Sequence, residues 1–263
     1  MPWALQSHGG LRKPTYRSPS LNPADPLSNG IVAFWAMNEG GGSTLHSAPY
    51  GIEGVLPGGT AWWGYFLELK AGSAGDYIAL PSSANANSPL RVQNHTIIAK
   101  VKLDTHSGSG SRMLIGSPDT IIGLGFYEWG IRGTTVPGDT GKLGFAYCGT
   151  DYGIHGWYLS SVSLISIPGG GNPWVTLGGT WRNITTTGFA SFYKDGVFIN
   201  TVNTTAYPIA YPAGTLAIGT QTNNSVWDGI FEYFCLWNRC LTDDEVRQFS
   251  LFPYGTPTVP RFV

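Results

Sequence analysis

With 263 residues and a formal net charge of −1, from 15 basic and 16 acidic side chains, the chain shows no electrostatic footprint for nucleic acid or an anionic membrane. The 37 glycines, 18 prolines and 12% charged residues argue against a mainly helical protein, while 42% hydrophobic content fits a globular one. Such a length suits a single all-β unit, since sandwiches of about 200 to 250 residues commonly form one domain.

Residues 1–29 read as an extended arm, broken by Pro2, Pro14, Pro19, Pro23 and Pro26 and charged by Arg12, Lys13 and Arg17. This stretch buries too little apolar surface to offset its ordering entropy, so it is expected to order only where the domain or a neighbour holds it. Its opening Met1-Pro2-Trp3-Ala4-Leu5-Gln6 lacks the apolar core of a signal peptide, and no apolar run reaches the roughly 20 residues that span a bilayer.

Strands are expected at 31–37, 65–70, 77–80, 96–103, 112–115, 123–128 and 142–148, separated by turn clusters such as Gly40-Gly41-Gly42-Ser43. A further strand is expected at 158–167. Strand 174–181 leads into two aromatic and β-branched runs around Asp195-Gly196, a dipeptide that supplies the positive φ angles of a two-residue hairpin turn. Strands at 216–219 and 229–238 follow, and the second is apolar on both faces, with Ile230, Phe234 and Leu236 alternating with Phe231, Tyr233, Cys235 and Trp237. One helix is expected at 242–251, because Thr242 and Glu245 form a capping-box pair. Residues 253–263 form a second proline-rich tail.

Several of these segments together resemble the laminin-G-like, concanavalin-A-like jelly-roll family. The resemblance rests on Val32-Ala33-Phe34-Trp35-Ala36-Met37-Asn38-Glu39-Gly40-Gly41, Gly75-Asp76-Tyr77-Ile78, Thr96 to Lys102, the hairpin unit from Trp174 to Val202, and Ile218-Gly219 with Gly229-Ile230 through Asn238-Arg239-Cys240-Leu241-Thr242. It implies a sandwich of two antiparallel sheets with one short C-terminal helix, spanning 30–252 between the two arms. The pair Phe231-Glu232 departs from the family's usual hydrophobic-aspartate step, and Tyr152 to Gly171 is an elaborated loop by comparison with the family, where specificity would reside.

No catalytic set is visible. Jelly-roll laminarinases carry a glutamate-x-aspartate-x-x-glutamate strand, which is absent. Asp228 and Glu232 would stand about 13 Å apart along one strand, beyond the roughly 5 to 9.5 Å that glycosidic carboxylates need. The five histidines read as loop or surface residues without metal spacing, and Cys148, Cys235 and Cys240 as core or half-buried thiols, a Cys235–Cys240 disulfide being the alternative. No resident cofactor or metal site is expected. Calcium is the one ion that the resemblance raises, with Asp76, Asp119, Asp139, Asp151 and Asp228 as loop oxygen donors.

Aromatic side chains in or beside expected loops, Trp62, Trp63, Trp129, Tyr152 and Trp157, are the candidate ligand-binding residues, because their faces stack on sugars and anchor protein interfaces. The resulting expectation is a non-enzymatic recognition or structural sandwich: a phage virion component, such as a capsid decoration or tail-fibre protein, at the virion surface. Its arm would contact other virion or surface proteins in a homo-oligomer or larger assembly. The alternative is a calcium-assisted carbohydrate-binding module of a bacterial surface or secreted protein, with glycans as partners.

Overall fold

Aromatic and β-branched runs form the long strands, and glycine and polar clusters interrupt them. The computed structural model describes residues 20–56, 61–62, 66–70, 76–104, 111–117, 127–133, 138–149, 154–165, 172–211, 215–220, 226–254 and 258–259. In chain order the first strands are β1 (Ser20–Leu21), β2 (Ile31–Trp35), β3 (Thr44–His46), β4 (Ala48–Pro49), β5 (Glu53–Val55), β6 (Ala61–Trp62), β7 (Leu67–Leu69) and β8 (Ile78–Leu80). Next come β9 (His95–Leu103), β10 (Arg112–Gly116), β11 (Tyr127–Ile131), β12 (Leu143–Cys148), β13 (Ile154–Leu159), β14 (Val175–Ile184), β15 (Thr187–Lys194) and β16 (Val197–Thr205). The chain closes with β17 (Leu216–Ile218), β18 (Gly229–Trp237), helix α1 (Asp243–Leu251) and β19 (Thr258–Val259). Among the described residues no helix is long and apolar enough to cross a membrane.

Two antiparallel sheets face each other. The front sheet runs β16-β15-β14-β9-β18-β2-β4, with β7 beside the first half of β18 and β6 beside β7; the back sheet runs β13-β12-β11-β10-β17-β8-β5-β3. Between them lies a core rich in large rings, including Trp35, Trp129, Trp181, Phe145, Phe192 and Phe234. A second core lies outside the front sheet, where Val246 and Phe249 of α1 join Leu27, Phe34, Tyr193, Tyr233, Cys235, Trp237 and Tyr254. Strand β18 is therefore covered on both faces, as its sequence predicts, with one correction. Phe231 pairs with Val101 and Tyr233 with Lys100, so Glu232 is an extra residue in a bulge. The bulge turns Phe231 to the same core as Phe234 and Leu236, breaking strict alternation.

The hairpin forms as expected: Lys194 pairs with Val197 across Asp195 (φ 51°) and Gly196 (φ 77°), the left-handed pair that a type I′ turn demands. The helix is capped as expected as well. Thr242 Oγ1 accepts from Glu245 N, and Glu245 Oε2 accepts from Thr242 N at 2.8 Å. Arg239 grips the Glu245 carboxylate at 2.9 and 2.8 Å and is the main reason that its pKa lies below the usual range. Thr242→Ala should cost about 1 kcal/mol in urea unfolding, with an unchanged m-value.

The described part of the expected arm, residues 20–29, docks on the sandwich. Leu27 is buried in the second core, its carbonyl accepts from Trp237 Nε1 at 2.8 Å, and Arg239 bonds the carbonyls of Pro26 and Asn29. Residues 20–29 thus belong to the sandwich, and residues 1–19 lie outside the described ones. The C-terminal tail also docks in part: Tyr254 is buried, and β19 pairs with β1. Two strands are displaced from their expected positions. The one expected at 158–167 lies at Ile154–Leu159. Ser160 ends it, its hydroxyl accepting from Leu143 N and donating to the Val162 carbonyl, which turns the chain away. The one expected at 123–128 occupies Tyr127–Ile131, set by pairing of Tyr127 with Tyr147 through Ile131 with Leu143.

Candidate functional site

Strand periodicity decides which groups the front sheet turns outward. Ile97, Ala99, Val101 and Leu103 of β9 enter the core between the sheets, so Thr96, Ile98, Lys100 and Lys102 point away from it. Cross-strand register carries this outer face onto β14 through Thr180, Gly178 and Thr176, and onto β15 through Ser191 and Tyr193. Helix α1 covers its middle and leaves two uncovered parts.

One part lies toward the C-terminal end of β9. Here Lys100 pairs with Glu232 at 2.8 Å, Lys102 with Asp104 at 3.1 Å and Lys70 with Glu68 at 3.5 Å. Tyr254 Oη donates to the same Glu232 carboxylate, and the Lys100 ammonium stands 6.0 Å from the Trp174 ring centroid. Each lysine is already neutralised.

The other part lies on β14, β15 and β16 beyond the helix. Phe189 is opposite both Arg182 and Asn203, and Ser191 is opposite both Thr180 and Thr201. The Arg182 guanidinium lies over the half-buried Phe189 ring, 5.0 Å from its centroid. Arg182, Thr201, Asn203 and Thr205 are exposed, and the Ser191 and Thr201 hydroxyls bond each other at 2.8 Å. No described carboxylate pairs with Arg182. The strip is hydroxyl-rich and singly positive.

Of the loop aromatics expected to bind ligand, the described ones, Trp62, Trp129 and Trp157, lie in separate surroundings. Trp129 is not in a loop at all: it lies on β11 with 0% exposure, its Nε1 donating to His95 Nε2 at 3.0 Å. The strand continues through Glu128 to Ile131, which swings the indole into the core, so Trp129 is no surface platform. Trp62 packs against the main core and spends its N–H on the Gly42 carbonyl at 3.0 Å. Trp157 lies against Gly144, where an added Cβ would meet its ring at 2.5 Å, with Arg132 5.0 Å from the ring centroid. Trp63 and Tyr152 lie outside the described residues.

His95 is a second correction, being wholly buried rather than a loop residue, with the tilted Tyr127 ring centred 4.4 Å away. Of the acidic candidates, Asp76 is buried and accepts from Lys70 N, and burial raises its pKa. Asp139 pairs with Lys142, and Asp228 offsets part of the lowering that burial imposes on Arg112. Asp119 and Asp151 lie outside the described residues, and among the described residues no three metal-ligating side chains cluster. All three cysteines are free thiols, Cys148 and Cys235 buried and Cys240 half-buried.

The family model for the concanavalin A-like lectin/glucanases superfamily, of laminin G type, matches residues 72–247. The chain belongs to this family. No curated protein matches its sequence. This lectin/glucanase-like sandwich is similar in fold to Trypanosoma rangeli sialidase in complex with a difluoro-KDN (TM-score 0.58, 15% identity), covering 89% of this chain and 36% of the sialidase. It is similar to the binding domain of Paraclostridial Mosquitocidal Protein 1 (TM-score 0.59, 12% identity; 85% of this chain, 52% of that one). It is also similar to Ruminococcus gnavus IT-sialidase CBM40 bound to alpha2,3 sialyllactose (TM-score 0.51, 15% identity; 70% of this chain, 95% of that one). The chain thus spans about a third of the sialidase and about half of the toxin domain.

Within this lectin-like sandwich the strip on β14–β16 is not among the expected ligand-binding residues, which are loop aromatics. A signal was present. Thr201, Asn203 and Thr205 recur at period two around Val202, which marks one face of an edge strand as polar and uncharged.

Proposed function

We propose that this chain is a non-enzymatic glycan-binding module whose ligand lies across the outer strip of β14, β15 and β16. The observation that carries this reading is the strip itself: guanidinium, amide and hydroxyl groups set on a continuous ladder, with an aromatic ring beneath them and α1 to one side. Rigid strands fix hydrogen-bonding groups at low entropic cost, which suits a sugar whose hydroxyls need several partners at once. The likeness to a CBM40 bound to a sialylated sugar supports the reading at the level of fold. Such a module works where glycans are displayed, at a cell or virion surface.

Arg182, Asn203 and Thr201 are the hydrogen-bonding groups, and the Phe189 ring lies beneath the guanidinium. Phe189→Ala should weaken binding of whichever sugar a glycan array selects by at least tenfold, as measured by titration calorimetry, with the fold intact by circular dichroism. Binding is expected to survive a chelator. Loss on chelation would restore the calcium-assisted alternative, and the absence of any bound glycan at millimolar concentration would remove the reading altogether. A virion-assembly role through the arm draws no support from residues 20–29, whose buried contacts are made with the chain's own sandwich.

A further inference from the structure

We infer that the ligand of this strip is a carboxylate-bearing sugar and that Arg182 is the group that selects it. The inference rests on the glycan-binding reading above. Arg239 spends its guanidinium on Glu245 and two carbonyls, and Arg91 on the carbonyls of Ser83, Ala84 and Tyr211. Arg132 is half-buried over Trp157 and reaches the Ser111 hydroxyl, and Arg112 is buried near Asp228. Arg247 on α1 is exposed but lies over no ring; Arg182 is exposed, lies over the Phe189 ring, and has no carboxylate, carbonyl or hydroxyl partner among the described residues.

The Phe189 ring matters because a guanidinium that lies over an aromatic face is drawn to it and has fewer places to go. A planar fork restrained in this way loses less entropy on accepting a carboxylate and can donate two parallel N–H bonds to it. The outward positions around it on the three strands are Thr180, Ser191, Thr201, Asn203, Thr205, Thr187 and Ile184, none of them acidic. The strip therefore offers one positive charge among neutral donors and acceptors. That pattern fits one carboxylate on a polyhydroxylated ring better than a polyanion, which needs several cations. The other open part of the same face lacks this property, since Lys70, Lys100 and Lys102 each have a carboxylate partner.

The test is titration of the ¹⁵N-labelled protein with 3′-sialyllactose, its carboxyl methyl ester and lactose, following backbone amide shifts of β14–β16 by NMR. The acid should bind at least tenfold tighter than the ester or lactose, and less tightly as salt rises. Arg182→Gln should abolish the preference, Arg182→Lys should restore it only in part, and Arg247→Gln, an exposed cation on α1, should leave it unchanged. Equal binding of acid, ester and lactose at these amides would overturn the inference while leaving the glycan-binding reading in place. Acid-selective binding that persists in Arg182→Gln, or that shifts Lys100 and Lys102 amides instead, would also overturn it. If none of the three sugars shifts any β14–β16 amide but other glycans do, the carboxylate assignment fails alone; if no glycan does, the glycan reading fails with it.

Discussion

Truncating Trp181 to alanine should lower the unfolding free energy by about 3 to 5 kcal/mol, the range for deleting a large aromatic from a packed core. The indole is fully buried, with ring centroids 4.7 Å from Phe145, 5.0 Å from Tyr147 and 6.1 Å from Tyr158. Beneath it lies Gly188, where even a Cβ would come within 2.0 Å of the ring, so the indole fills space that the hairpin has left free for it. The back-sheet rings that face Trp181 are pinned by strand pairing and cannot slide into the gap. Urea denaturation reads this as a lower midpoint at constant m-value. A loss below about 1 kcal/mol would mean that the sandwich collapses around the missing ring.

Acid should destabilise the protein through His95. Burial, opposed only in part by the Gln93 backbone, pushes its pKa from 6.5 down to about 3, and the imidazole must stay neutral at Nε2 to accept the Trp129 N–H. The unfolded chain takes up a proton below about pH 6.5 while the folded chain does not, so the stabilisation is complete above that pH and drains away as pH falls toward 3. Between pH 7.5 and 4.5 this single group should remove about 3 kcal/mol. His95→Gln keeps an acceptor for Trp129 without a titrating ring. Urea unfolding of both proteins across that range should show the wild type losing about 3 kcal/mol more than the variant, since carboxylate contributions are common to the two. Parallel pH profiles would contradict the assignment.

What the sequence disclosed depended on how local the cause was. The Asp195-Gly196 turn and the Thr242–Glu245 box act within four residues, and both formed as read. The two-sided burial of β18 was readable from its apolar run, but the bulge at Glu232 was not, because it arises from register against β9. Trp129 and His95 were misplaced for one reason: each is judged exposed or buried by a strand end, and ends are fixed by pairing with distant partners such as β12 and β14. The strip holding Arg182, Phe189 and Asn203 exists only once three strands align. A residue list cannot show that alignment.

The pairing of β1 with β19 places Ser20 opposite Val259, one ladder spacing apart. Entry and exit of the sandwich therefore share one point on its surface, and a short linker would join them. A circular permutant closed there and reopened within the Asp195-Gly196 turn would keep every other strand pairing. By the same geometry, the sandwich can be spliced as a cassette into a surface loop of an unrelated host without prising the host's loop apart.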